Sequence, residues 1–220
     1  MISVTGKTWI HQKVNKNLVE KIKQDYGFGN ILSQLIISRN YDISEIYGIN
    51  NNQKLINIFK DDHDFEKASL ILLDCIKNNE NICILGDYDV DGACSSALLL
   101  RYFNHINQKH FYYIPDRVRD GYGASKKLFQ KLILKKPKLI IMVDCGSSSI
   151  EAVDFLKKNN VKSIIIDHHE INKPYPKSDA LINPKKQFKI NEQSFLCATA
   201  LTYFFIDILI KKSQSNFKLS

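Results

Sequence analysis

The spacing of apolar residues changes near residue 81. Before it they recur at helical intervals. Leu18, Ile22 and Tyr26 lie four apart, and Ile31, Leu35 and Ile36 share a face. Between Lys67 and Lys77, Ala68, Ile71, Leu72, Cys75 and Ile76 form one stripe. The intervening NYDISEIYGINNNQ and FKDDHDF segments read as loops. Trp9 and His11 stand alone and read as structural. After residue 81, short β-rich apolar runs alternate with helical segments. Ile82–Leu85 leads into a helix through Ala97–Phe103, and Phe111–Ile114 into a helix from Ser125, a plausible N-cap, to Leu134. Leu139–Val143 leads into Ile150–Lys158, and Ser163–Ile166 and Ala180–Ile182 follow. A last helix runs from Ser194 to about Lys212, and SQSNFKLS reads as a frayed end.

Strands that are apolar throughout and separated by helices predict an α/β fold: a mostly parallel sheet with helices on both faces. The expected division is a small helical N-terminal region, residues 1–80, and an α/β domain, residues 81–220. In such a sheet, ligands bind at the carboxyl ends of the strands. Three strand ends carry the chemistry. Gly86-Asp87-Tyr88-Asp89-Val90-Asp91-Gly92 follows the first strand, Asp144-Cys145-Gly146 the third, and Asp167-His168-His169-Glu170 the fourth. Right-handed crossovers would gather these loops at one edge.

Carboxylates with an imidazole are a ligand set for Mg²⁺ or Mn²⁺. Asp87 and Asp89 could each hold one metal, and Asp144 on a neighbouring strand could bridge them. A metal pair of that kind activates water for in-line phosphoryl displacement. Each piece also has a plainer reading. Asp91 reads as a cap of the helix that follows it, and Asp144 alone would pass as a turn or capping residue. Ser147, Ser148 and Ser149 could donate to a phosphate or cap the next helix. Two adjacent imidazoles at a strand end are rarely filler.

Composition changes the picture only slightly. The 31 Lys and Arg against 23 Asp and Glu give a net charge of +8. The basic excess grows along the chain, to eight cations against three anions over residues 171–220, which suits a polyanionic substrate. Only four of the cations are Arg, so lysine-rich composition bias accounts for the charge equally well. Neither a P-loop nor GxGxxG occurs. No apolar run reaches the length of a membrane span, so no membrane partner is expected. The N-terminal stretch lacks the apolar segment of a secretory signal. Five cysteines without a CxxC pair read as free thiols in a reducing cytoplasm, with Cys75, Cys83 and Cys94 in or beside apolar segments.

GDYDVDG, VDCG and IDHHE, in this order and at these strand ends, resemble the motifs of the DHH phosphoesterase superfamily. IPDRVRDGYG, LINPKK and LCATALTYFF resemble its branch of exonucleases specific for single-stranded DNA, as does the N-terminal helical stretch. The resemblance implies metal ligands at Asp87, Asp89, Asp144 and His168, with Asp144 as the bridge. It implies a two-metal Mn²⁺ or Mg²⁺ site in which Asp144, His168 and His169 are catalytic. His169 would contact the scissile phosphate. Arg117, Gly121, Tyr122 and Gly123 would touch the substrate backbone, although the two glycines also suit a tight turn before Ser125. It further implies single-stranded DNA as substrate, 5′-to-3′ cleavage in repair and recombination, and a single-strand-binding protein as partner. The alternatives are a DHH hydrolase of short oligonucleotides or other small phosphoesters, and a nucleic-acid-binding fragment without turnover.

The match has departures. Some relatives place a metal-binding His where this chain has Leu85, and position 119, often acidic, is Arg119. The superfamily's fourth motif, another metal-binding Asp, is expected beyond the final helix. Asp207 inside that helix is a poor substitute, so the chain is expected to be truncated before that motif.

Overall fold

The computed structural model describes residues 3–8, 10, 12–50, 56–121, 123–186 and 194–219. Trp9, His11 and Tyr122 lie outside them. The chain divides into two compact units, residues 1–56 and 57–220.

The first unit contains α1 (Lys16–Tyr26), α2 (Asn30–Ser38) and α3 (Ile43–Asn50). Asn15 caps α1 through its side chain, which accepts from the backbone N–H groups of Asn17 and Leu18. Gly27 ends the helix in a left-handed turn at φ 69°. Ile22, Ile36 and Ile46 form the unit's small core. The helix α3 corrects the loop expected over NYDISEIYGINNNQ. Ile43, Ile46 and Tyr47 stand at helical spacing, but over a single short stretch set among Asn, Asp and Gly residues that read as loop.

The second unit opens with α4 (His63–Lys77), capped by the Asp62 carboxylate, which accepts from Asp64 N and Phe65 N. The α/β succession follows: β1 (Ile82–Leu85), α5 (Val90–His105), β2 (His110–Tyr113), α6 (Lys126–Leu132), β3 (Leu139–Val143), α7 (Ile150–Lys158), β4 (Lys162–Ile166), β5 (Ala180–Ile182) and α8 (Ala198–Ser213). Ser125 caps α6 as expected, its hydroxyl accepting from Leu128 N. All pairings are parallel, in the order β2-β1-β3-β4-β5. The helix α4 lies within this unit and packs against β5 and α8, so the N-terminal helical stretch of the sequence is shared between the two units.

Alternation along the strands divides the core in two. Ile82, Ile84, Ile141, Val143, Ile164 and Ile166 face α4, α5 and α8. Cys83, Leu85, Ile140, Met142 and Ile165 face α6 and α7. Every residue of β1 and β3 is buried, which is why these strands read as unbroken apolar runs.

Three expectations need correction. Tyr112, inside the run Phe111–Ile114 read as an apolar strand, is 58% exposed because β2 is an edge strand. Cys94 is exposed with Cys197, while Cys75, Cys83 and Cys145 are the buried thiols. The chain end is docked: Phe217 packs edge-on to Tyr102 at 5.5 Å, and the Asn216 Oδ1 lies 2.8 Å from His105 Nε2.

The first turn of α5 lies hard against the β1 loop. A Cβ on Gly92 would stand 2.5–2.7 Å from backbone atoms of Asp87. The obstacle is backbone and cannot rotate away. Gly92→Ala is therefore expected to destabilise the fold by about 1–3 kcal/mol, the usual cost of overpacking. Chemical denaturation measures this, and a variant as stable as wild type would show that the loop yields freely.

Candidate metal centre

The hydrogen-bond ladder runs one residue past each central strand. Gly86 N donates to Tyr113 O at 3.2 Å, Asp144 N to Ile166 O at 2.9 Å, and Asp167 N to Ile182 O at 3.0 Å. The sheet thus fixes the first residue of each chemically loaded loop. The strand order reverses between β1 and β3, and the loops of those two strands flank the resulting crevice.

Asp144 stands at the centre. It is 0% exposed, has a left-handed backbone at φ 60°, and neither carboxylate oxygen has a hydrogen-bond partner. Among non-glycine residues, Asp and Asn tolerate that conformation best. Burial pushes its pKa up to about 8, and the negative charges of Asp91, Asp89 and Asp167 add to the effect. Two groups with ligand atoms within 4.8 Å of one another meet at this residue: Asp87, Asp89 and Asp144, and Asp144, His168 and His169.

The other predicted residues fall around it. Asp87 is buried, and its Oδ1 accepts from Tyr88 N at 2.8 Å. Burial raises its pKa, Tyr88 N–H opposes the rise, and Asp89 reinforces it. Asp89 is the N-cap of α5, and its Oδ1 accepts from Gly92 N at 2.9 Å. His168 Nε2 lies 3.3 Å from Asp144 Oδ1. His169 Nδ1 lies 2.8 Å from Asp167 Oδ1, and its side chain is 44% exposed.

Asp91 corrects an expectation. It does not cap α5, because Asp89 does. Its carboxylate instead accepts from Ala198 N at 2.8 Å and Thr199 N at 2.7 Å, and from the Thr199 hydroxyl, at the start of α8. Burial opposes its charge, but the hydrogen bonds from Thr199, Ala198 and Cys197 prevail and hold its pKa below the ordinary value.

Sequence reasoning missed Asp167. Buried beside the histidines, it accepts from His168 N, His169 N and the His169 ring through Oδ1, and from Ser147 N through Oδ2. Burial raises its pKa, yet the bonds from Ser147 and His169 win and lower it. The signal was present, since Asp167 is the aspartate of the IDHHE segment. Ser147 completes the network: its hydroxyl accepts from Asn183 Nδ2, which also donates to His169 O. Ser149 occupies the N-cap of α7 without a side-chain capping bond.

The β2 loop supplies the predicted substrate residues. The exposed Arg117 places its Cζ 5.3 Å from the centre of the Tyr88 ring. Gly121 and Gly123 have φ of 83° and 67°, with nothing near their Cα positions that a Cβ would meet. Asp120 staples the loop, accepting from Tyr113 OH, Asp116 N and Lys131 Nζ. Lys131 and then Tyr113 hold its pKa down at about 2. Asp207 lies outside both ligand groups; Asn57 Nδ2 and Lys211 Nζ donate to it.

Two buried oxygens without a hydrogen bond, on a residue shared by two ligand-spaced groups, fit a divalent cation pair. Hard carboxylates dominate one group and imidazoles enter the other. No other group of three or more such side chains occurs among the described residues.

The family model "DHH family, N-terminal domain" matches residues 81–219. The single-stranded-DNA-specific exonuclease RecJ of Bacillus subtilis (strain 168) is 26% identical over 180 residues, covering 81% of this chain and 23% of that protein. Haemophilus influenzae RecJ is 33% identical over 123 residues, covering 56% of this chain and 21% of that protein. The chain thus spans under a quarter of the length of these relatives. The crystal structure of RecJ from Thermus thermophilus in complex with Mn²⁺ aligns at a TM-score of 0.68 and 18% identity, over 90% of this chain and 28% of that one. At that identity the likeness is one of fold.

The raised Asp144 pKa has a sign. Its stabilising protonated form is fully present below about pH 4, and the contribution is lost as pH rises through about 8. In chelator at pH 8.5, Asp144→Asn is therefore expected to melt higher than wild type, with the gap closing toward pH 4. Mn²⁺ at 100 times its Kd should narrow that gap, raising the wild-type Tm by about 5–10 °C. Calorimetry checks both arms; a pH-independent gap would show that Asp144 is not a strained carboxylate.

Proposed function

The chain belongs to the DHH family, and from that premise we propose that it hydrolyses phosphodiester bonds with two divalent cations, Mn²⁺ or Mg²⁺, acting on single-stranded DNA from the 5′ end. The observation that carries the reading is Asp144: a buried carboxylate with no hydrogen-bond partner, common to both ligand groups. Asp87, Asp89 and His168 would hold the cations together with it. When bound, the cations neutralise the crowded carboxylates and act as Lewis acids on the phosphodiester.

The chain's own residues do the rest. Asp167 grips His169 at Nδ1, which leaves Nε2 to meet a phosphate oxygen, and the half-exposed ring is accessible to one. Arg117 is exposed and stacked on Tyr88, beside the two motif carboxylates, so its guanidinium can hold a phosphate by paired hydrogen bonds. Recognition through phosphates gives strong salt dependence and little sequence preference. The single-strand assignment rests on the RecJ relatives, which their names describe as single-stranded-DNA-specific exonucleases, and the 5′ end on what the family resemblance of the motifs implies. A single-strand-binding protein is the partner this reading carries. No described helix is long and apolar enough to cross a membrane.

The test is cleavage of a single-stranded oligonucleotide labelled at its 5′ end, with Mn²⁺ and with chelator. The expected result is Mn²⁺-dependent release of labelled mononucleotide, lost by about a thousandfold or more in Asp144→Ala. Turnover of that variant at the wild-type rate would overturn the bridging assignment.

Arg117→Ala is expected to raise KM about tenfold and to flatten the salt dependence of binding by about one unit of slope, with Mn²⁺ affinity unchanged. Unchanged binding of the oligonucleotide at low salt would remove Arg117 from the substrate site.

A further inference from the structure

Asp91 is the one acidic residue of GDYDVDG that the proposed ligand set does not use. It lies in the first turn of α5, yet its hydrogen bonds go to α8, more than a hundred residues on. Oδ2 accepts from Ala198 N, and Oδ1 accepts from Thr199 N and the Thr199 hydroxyl. The Thr199 hydroxyl also contacts Asp91 O and lies 3.3 Å from Ser95 Oγ. Cys197, the N-cap residue of α8, makes no side-chain capping bond to its own helix, so Asp91 takes over that task from another helix.

The same carboxylate also faces the centre. Asp91 Oδ2 lies 3.4 Å from His168 Nε2, and Asp144 Oδ1 lies 3.3 Å from that nitrogen. The imidazole nitrogen is thus flanked by two carboxylates. Asp144 is buried at the carboxyl end of the central strand β3, while Asp91 is only partly buried and is held in place by α8.

We infer that Asp91 is a positioning residue of the metal centre: it fixes the His168 ring toward Asp144 and ties the N-terminus of α8 to metal binding. This rests on the two-metal reading above. Two physical effects point the same way. The flanking carboxylate restricts rotation of the ring, so less freedom is lost on ligation. Its negative charge, unneutralised by any cationic side chain in these contacts, deepens the potential felt by a cation beside His168. Coupling is reciprocal: if α8 helps to hold the ligand, a bound cation also steadies the start of α8.

The experiment uses Mn²⁺ alone as probe, with binding measured by electron paramagnetic resonance. Asp91→Asn keeps the shape and one acceptor but removes the charge. Thr199→Val removes a capping hydrogen bond and leaves the contact between Asp91 and His168. The expected result is a loss of Mn²⁺ affinity of about tenfold or more in Asp91→Asn. Thr199→Val is expected to melt lower while binding Mn²⁺ within about twofold of wild type. Wild-type affinity in a folded Asp91→Asn would reduce Asp91 to a helix cap and overturn the inference alone. Absence of Mn²⁺ binding by the wild type would overturn the two-metal reading as well. A measurement on the wild type stands beside these in case Asp91→Asn does not fold. Mn²⁺ should slow hydrogen exchange at Ala198 and Thr199 more than at the start of α7, and equal protection at both helices would overturn the coupling.

Discussion

A carboxylate sealed from water without a hydrogen bond is among the costliest arrangements a fold can contain. Asp144 is such a group, and it also sits in a left-handed backbone conformation. The surroundings make this tolerable by being rigid. The ladder bond from Asp144 N to Ile166 O ties it to β4, and the fully buried strands beneath it leave no slack. A loop of ordinary mobility would turn the carboxylate out to solvent. The parallel sheet holds it in, and the stored cost becomes an affinity for positive charge.

The same constraint explains why the nearby acids are treated differently. Asp91 and Asp167 are surrounded by N–H and O–H donors and are stabilised as anions. Asp87 and Asp144 lack enough donors, and their pKa values rise. Acids of one type, from neighbouring loops, are thus sorted by their donors into anions that position and carboxylates that await a cation. The sorting identifies Asp167 as the anchor of His169 and leaves the unsatisfied oxygens to ligation.

What was legible in the sequence follows from these physics. The central strands were readable to within a residue or two because burial on both faces makes each a continuous apolar run. The edge strand β2 was placed one residue late, and its run did not mark Tyr112 as exposed, because pattern alone does not show which strand lacks a neighbour. The helix α3 was lost because its short apolar pattern, Ile43, Ile46 and Tyr47, sits among loop-forming Asn, Asp and Gly residues. The residues around Asp144 were legible as a set because each ended a strand. Asp91 was misjudged because capping was sought locally, whereas its partners at Ala198 and Thr199 become neighbours only when α5 packs on α8. Local signals reveal which groups can bond; only the packing shows with whom.

The Asp91 geometry changes what the final helix is for. Its N-terminus carries the positive end of the helix dipole, and such ends attract anions. Here the anion is a side chain of the first motif, so the dipole is spent on stabilising a charge next to His168. Without that end, Asp91 would carry an uncompensated charge close to Asp144 and would rise toward its neutral form. With it, Asp91 stays ionised beside the imidazole while Asp144 bears the cost of crowding. The arrangement lets one helix terminus hold a second negative charge in a centre that already has too many, and that surplus is what a pair of divalent cations would neutralise.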